Sequence, residues 1–237
     1  MRDTKLICVE GVPGTGKSTT SRYIDALLQG WGVPRNLWEE HQEGHPLNVG
    51  GELHPSGNRT GQEFFSLYDP QLFIEDSIQR LESFVRSLSG SETVLILDSY
   101  PYQNSVRLLM QLDASPSLIE TYAVQVERLL SPLEPTMIYL RCSDPRKLLR
   151  AMGERRGAVW AAYAVDLALN CPYASARGLS GVAGAEQVIM DYAICAESLL
   201  QSSQMDVLVL DNCHANWEAC YEQIASFVAP RVAWTHL

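Results

Sequence analysis

Along this chain, short continuous apolar runs alternate with longer stretches in which apolar residues recur every three or four positions. The runs Lys5 to Glu10, Thr93 to Asp98, Thr136 to Cys142 and Met205 to Asp211 predict strands, and the more polar Arg35 to Glu40 can form a short one after the first helix, five in all. Helical spacing covers Ser18 to Gln29, Gln62 to about Leu88, two segments between Asp98 and Thr136, the basic helix-turn-helix "DPRKLLRAMGERRGAVW", Ala185 to Gln201, and Trp217 to Ala229. "NCPYASARGLSGVAG" reads as a glycine-rich loop, and His41 to Gly61 shows no clear period. Strands with near-continuous apolar cores, separated by helices, imply an α/β fold whose parallel sheet is covered on both faces. No repeat, low-complexity tract or linker divides the chain, so residues 1–237 are read as a single domain.

Composition changes this picture only by exclusion. A net charge of −10 opposes a polynucleotide partner, because such binding depends on neutralising phosphates with Lys and Arg. No apolar run is long enough to span a membrane, and "MRDTKLICVE" is too short and too soon acidic for a signal peptide, so the expectation is a cytoplasmic protein. The six cysteines form no CxxC pair, and several sit in apolar runs as expected reduced core residues.

The chemistry begins where the first strand ends. Gly11, Val12, Pro13, Gly14, Thr15, Gly16, Lys17 and Ser18, followed by Thr19, spell the G-x-x-x-x-G-K-S pattern of a phosphate-binding P-loop. Backbone N–H groups must converge on phosphate oxygens there, and glycine permits the required angles and close approach. Lys17 can reach the β- and γ-phosphates, Ser18 can hold Mg²⁺, and the following helix points its positive end at the phosphates. No N-K-x-D guanine-reading sequence occurs, which disfavours a GTPase.

The order of elements and the opening "EGVPGTGKST" resemble the thymidylate-kinase-like and deoxynucleoside-kinase-like small-molecule kinases. "LILDS" resembles their third strand, which ends in an acidic residue, and "RRG" resembles their arginine-bearing LID. No Asp-Arg-Tyr or Glu-Arg-Ser follows the third strand, since this chain has Asp98-Ser99-Tyr100-Pro101. The resemblance implies a P-loop NTPase three-layer α/β/α sandwich, a five-stranded parallel sheet of order 2-3-1-4-5, a substrate-side loop at 41–62, and a LID with the glycine-rich loop at 150–184. ATP and Mg²⁺ are the expected cofactors, with Ser18 and Asp98 holding the metal. Glu39 or Glu40, at the end of the second strand, is the expected base, and Arg155 and Arg156, with Arg150 behind them, are the expected LID arginines.

Tyr100, Tyr102, Gln103, Asn104 and Arg107 follow the candidate metal aspartate; they read equally as groups gripping an acceptor ring or sugar and as the inner face of a helix. His41, His45 and His54 lack the spacing of a zinc pair. Trp217, after the last strand, lies where the resembling kinases cover adenine. The expected partner is a small acceptor, such as a nucleoside, sugar or antibiotic, with a homodimer left open and neither nucleic acid nor membrane. Arg59 and Arg107 are the only arginines in the two acceptor-side segments, which favours an uncharged or cationic acceptor over a phosphorylated one. The alternative is a regulatory NTPase that hydrolyses ATP under the control of a protein partner.

Overall fold

The computed structural model describes residues 4–40, 42–47, 49, 61–211, 213 and 216–232. His41, His54, Arg59 and Asn212 lie outside them, as does most of the predicted substrate-side loop. Five strands, β1 (Leu6–Gly11), β2 (Arg35–Trp38), β3 (Val94–Asp98), β4 (Thr136–Arg141) and β5 (Asp206–Asp211), form one parallel sheet in the order β2-β3-β1-β4-β5. β1 is central, pairing Cys8 with Leu97 of β3 and with Met137 of β4.

Side chains that alternate along the strands build two separate cores. Ile7, Val9, Ile96, Ile138 and Leu210 pack with Ile24 and Leu28 of α1 (Lys17–Gly30) and with Ile224 and Val228 of α10 (Trp217–Val228). Leu6, Cys8, Leu95, Leu97, Met137 and Tyr139 face the opposite way. They are covered by α3 (Pro70–Ser87), α4 (Arg107–Gln111), α5 (Pro116–Leu130) and α9 (Gly181–Ser202). The result is the expected three-layer sandwich, and the carboxyl ends of β1, β3 and β4 share the edge where open α/β sheets bind ligands.

Three local expectations are corrected. The single helix from Gln62 is two, α2 (Gly61–Leu67) and α3: Asp69 caps α3 by accepting the Leu72 N–H at 2.8 Å, and Pro70 at its first turn cannot continue a preceding helix. The glycine-rich segment is largely helical, forming α8 (Pro172–Ala176) and the first turn of α9. Of its glycines, Gly184 serves packing, since a side chain there would press on Leu169 and Leu179, whereas Gly178 and Gly181 have open space around them and take φ 61°. Beyond Asp98 the chain enters a π-helical turn, Tyr102–Val106, before α4. The basic segment forms α6 (Pro145–Arg156) and α7 (Ala158–Leu169), separated at Gly157 as expected.

Candidate active site

The P-loop joins β1 to α1. Gly14 (φ 91°) and Gly16 (φ 97°) adopt left-handed conformations that side chains rarely take. The same two positions have no room for a methyl group: on Gly14 it would overlap Met152 of α6, and on Gly16 the Trp217 indole of α10. Two helices therefore pack against the loop, while Thr15 Oγ1 donates to the Val12 carbonyl at 2.9 Å and braces it from within. Lys17, 5% exposed, donates from Nζ to the Val12 carbonyl at 3.2 Å and to Gln103 Oε1 at 2.6 Å. Pro13 and Ser18 are half-buried and Thr19 is exposed.

Gln103 links the P-loop to the acceptor side. Its Nε2 donates to Glu40 Oε1 at 2.5 Å, so the amide lies between the Lys17 ammonium and the Glu40 carboxylate. Ser99 Oγ donates to Glu40 Oε2 at 3.2 Å and to Asp98 Oδ1 at 3.0 Å. Gln103 is held there by the fully buried Glu10, whose carboxylate accepts the N–H groups of Gly11 (3.2 Å), Tyr102 (2.6 Å) and Gln103 (3.2 Å). One side chain thus ties the start of the P-loop to the π-helical turn. Burial pushes the Glu10 carboxyl up to about 7, against the opposing pull of Lys17 and those three N–H groups.

Asp98 is fully buried at the end of β3. Burial raises its carboxyl above the usual range; Lys17 and the Ser18 hydroxyl oppose the shift, and Glu40 adds to it. Its Oδ2 is buried without a hydrogen-bond partner. An orphaned carboxylate oxygen beside the P-loop serine fits a hard cation that takes oxygen ligands and retains several waters. Among the described residues no group of three or more His, Cys, Asp or Glu gathers around a point, and a magnesium site completed by a hydroxyl and phosphates requires none.

The structure separates the two candidate bases. Glu39 points away and forms a two-point ion pair with Arg22, at 2.7 and 2.9 Å, on the surface of α1. Glu40 alone reaches the site. The LID arginines are not brought to the loop: Arg155 and Arg156 are exposed at the end of α6, with Arg156 lying over the Trp160 ring at 5.0 Å, and Arg150 pairs with Glu186. It is the buried Met152 of the same helix that meets the P-loop. Tyr100 and Tyr102 are both 1% exposed and belong to the core, whereas Gln103 is part of the site. His45 is buried against Trp38, its ring accepting the Leu47 N–H at 3.2 Å. Cys213 and Cys220 of α10 form a disulfide with Cα atoms 5.9 Å apart. Cys8, Cys142, Cys171 and Cys195 are free thiols.

Three participants went unassigned in the sequence: Ser99 as the bridge between Asp98 and Glu40, Glu10 as the clamp, and Met152 as the P-loop contact. The placement of Glu10 directly before the glycines was the one visible signal.

Sheet order and loop geometry together define an α/β protein built around a P-loop. Over 101 residues the chain is 35% identical to a protein of Aeropyrum pernix named "Putative thymidylate kinase". The match covers 42% of this chain and 47% of that relative, so the chain spans about half the length of the curated relative it matches. Among solved structures it aligns with the YorR protein of Bacillus subtilis, crystallised with phosphorylated GDP, at 16% identity and a TM-score of 0.46, covering 94% of this chain and 93% of that one. No family model matches the chain.

Proposed function

We propose that this protein is a cytoplasmic phosphotransferase that moves the γ-phosphate of Mg-ATP to the hydroxyl of a small acceptor. The observation that carries this reading is the run of contacts from Lys17 through Gln103 to Glu40, which sets a phosphate-binding cation and a carboxylate on either side of one amide. An acceptor hydroxyl placed beside Glu40 would hydrogen-bond to the carboxylate, which takes its proton as the phosphoryl group arrives. Lys17 and the loop N–H groups hold the phosphates and stabilise the transferred charge. Ser18 and Asp98 would hold Mg²⁺, which when bound neutralises charge on the β- and γ-phosphates. Arg155 and Arg156 belong to the reading only through closure of α6 and α7 over the loop, a motion of the kind that excludes water and completes many kinase sites. Among the described residues no helix is long and apolar enough to cross a membrane.

The test is ATP consumption across nucleosides, nucleotides, sugars and aminoglycoside-like antibiotics, with Lys17→Ala, Asp98→Asn and Glu40→Gln beside the wild type. Acceptor-dependent turnover is expected. Lys17→Ala abolishes it, Asp98→Asn weakens its magnesium dependence, and Glu40→Gln lowers kcat with little change in Mg-ATP affinity. Hydrolysis indifferent to every acceptor and raised only by a protein partner overturns the reading in favour of a regulatory NTPase.

A further inference from the structure

One helical turn beyond Gln103 lies a group that phosphoryl transfer leaves unexplained. Arg107 is only 9% exposed, and its partners among the described residues are neutral: Nε donates to the Gln103 carbonyl at 3.1 Å and Nη1 to Gln111 Oε1 at 3.0 Å. No carboxylate among the described residues pairs with it. A guanidinium carries five donor hydrogens, and a buried one with no counter-ion is costly.

Its surroundings add donors instead of acceptors. Tyr163 of α7 and Tyr192 of α9 both feel the Arg107 charge, and each has a buried hydroxyl without a hydrogen-bond partner. Tyr192 is fully buried. Burial makes both phenols harder to ionise, so each remains a neutral O–H donor at neutral pH. The carboxylates in range are already engaged. Glu40 is bound by Gln103 and Ser99, Asp166 by Asn170, and Glu10 by three backbone N–H groups. A buried guanidinium and two idle hydroxyls, with every nearby carboxylate committed elsewhere, make a receptor for negative oxygen.

We propose that Arg107, Tyr163 and Tyr192 form a receptor for an oxyanion carried by the acceptor, so that the acceptor bears a carboxylate or phosphate at the end opposite its reacting hydroxyl. This deepens the phosphotransferase reading and rests on it for the placement of the hydroxyl at Glu40. It also reverses the expectation, taken from the number of arginines, that the acceptor is uncharged or cationic. Arg107 here recognises the remote end of the molecule and takes no part in transfer.

The test uses matched probes that differ only in the oxyanion: pantothenate against panthenol for the carboxylate, and thymidine 3′-monophosphate against thymidine for the phosphate. Binding is measured by calorimetry with the P-loop filled by Mg²⁺ and a non-hydrolysable ATP analogue, so that a phosphate probe cannot occupy the loop. At least one anionic probe is expected to bind about tenfold or more tighter than its neutral twin, as a charge-assisted contact implies. Arg107→Gln removes that preference, and Arg107→Lys, which keeps the charge in case the glutamine variant is unstable, retains part of it. The pair that shows the preference identifies the oxyanion. Equal binding within both pairs, no binding by any probe, or a preference that survives in a folded Arg107→Gln protein overturns the proposal. An Arg107-dependent preference in a protein that turns over no acceptor leaves the receptor standing and refutes the kinase reading instead.

Discussion

Two buried titratable groups give opposite dependences of stability on pH, and separating them tests the electrostatics of the Glu10 clamp. Burial raises the Glu10 carboxyl from the ordinary 4.5 to about 7, so the folded state favours its neutral form. That contribution is fully present below pH 4.5 and is lost as the pH rises through 7. At about 1.4 kcal/mol for each pH unit between the two values, it amounts to about 3 kcal/mol. His45, buried beside Trp38, is lowered from 6.5 to about 4, so folding favours the neutral ring. Its contribution is present above pH 6.5 and is lost as the pH falls through 4, again by about 3 kcal/mol. The two nearly cancel between pH 4.5 and 6.5, which leaves the raised Asp98 carboxyl to tilt the wild-type curve downward as the pH rises. Urea unfolding followed by circular dichroism at several pH values reads each contribution as a slope. Glu10→Gln should gain stability with rising pH by about 3 kcal/mol. His45→Asn, whose amide oxygen can still accept the Leu47 N–H, should lose about as much between pH 4.5 and 7. If the Glu10→Gln curve runs parallel to that of the wild type, Glu10 does not take up a proton on folding and the reasoning fails.

Gly16→Ala forces a left-handed backbone and pushes a methyl group into Trp217, so it should cost about 2 kcal/mol or more of stability and abolish nucleotide binding in an equilibrium dialysis assay. Glu39→Gln removes an exposed ion pair and should shift stability by less than about 1 kcal/mol with turnover unchanged; a large loss of kcat would return Glu39 to the site. Gln103→Leu, which deprives both Lys17 and Glu40 of a partner, should lower kcat by about tenfold or more in steady-state kinetics while leaving the fold intact, and unaltered kcat would remove the amide from the mechanism. Asp69→Ala deletes the cap of α3 and should cost about 1 kcal/mol in urea unfolding with no effect on nucleotide binding.

What the sequence revealed and what it hid follow from the range of the interactions involved. The P-loop and the strands were legible because a phosphate cradle and a buried parallel strand each impose a local, nearly continuous pattern on the chain, whereas the order of the strands came only through the resemblance that the P-loop opening carries. The choice between Glu39 and Glu40 was hidden: adjacent residues leave a strand on opposite sides, and Arg22, which takes Glu39 outward, lies 17 positions earlier. The dual role of Gln103 was equally hidden, because the π-helical turn changes which side chains share a face relative to an α-helical spacing. Expecting Arg155 and Arg156 at the phosphates treated basic residues near a turn as if their direction were known, whereas α6 presents Met152 to the loop and leaves both arginines in solvent. Arg107 shows the same limit: counting arginines says nothing of how deeply one is buried or what stands opposite it.

The contact between Trp217 and Gly16 gives the molecule a built-in optical probe. An indole pressed against the loop that receives phosphates changes its surroundings whenever the loop rearranges or a base settles beside it, and its emission should follow. The chain holds five tryptophans, so the emission that disappears in Trp217→Phe isolates the contribution of this one ring. Nucleotide occupancy then becomes visible in stopped-flow mixing without a label, before the acceptor has been identified.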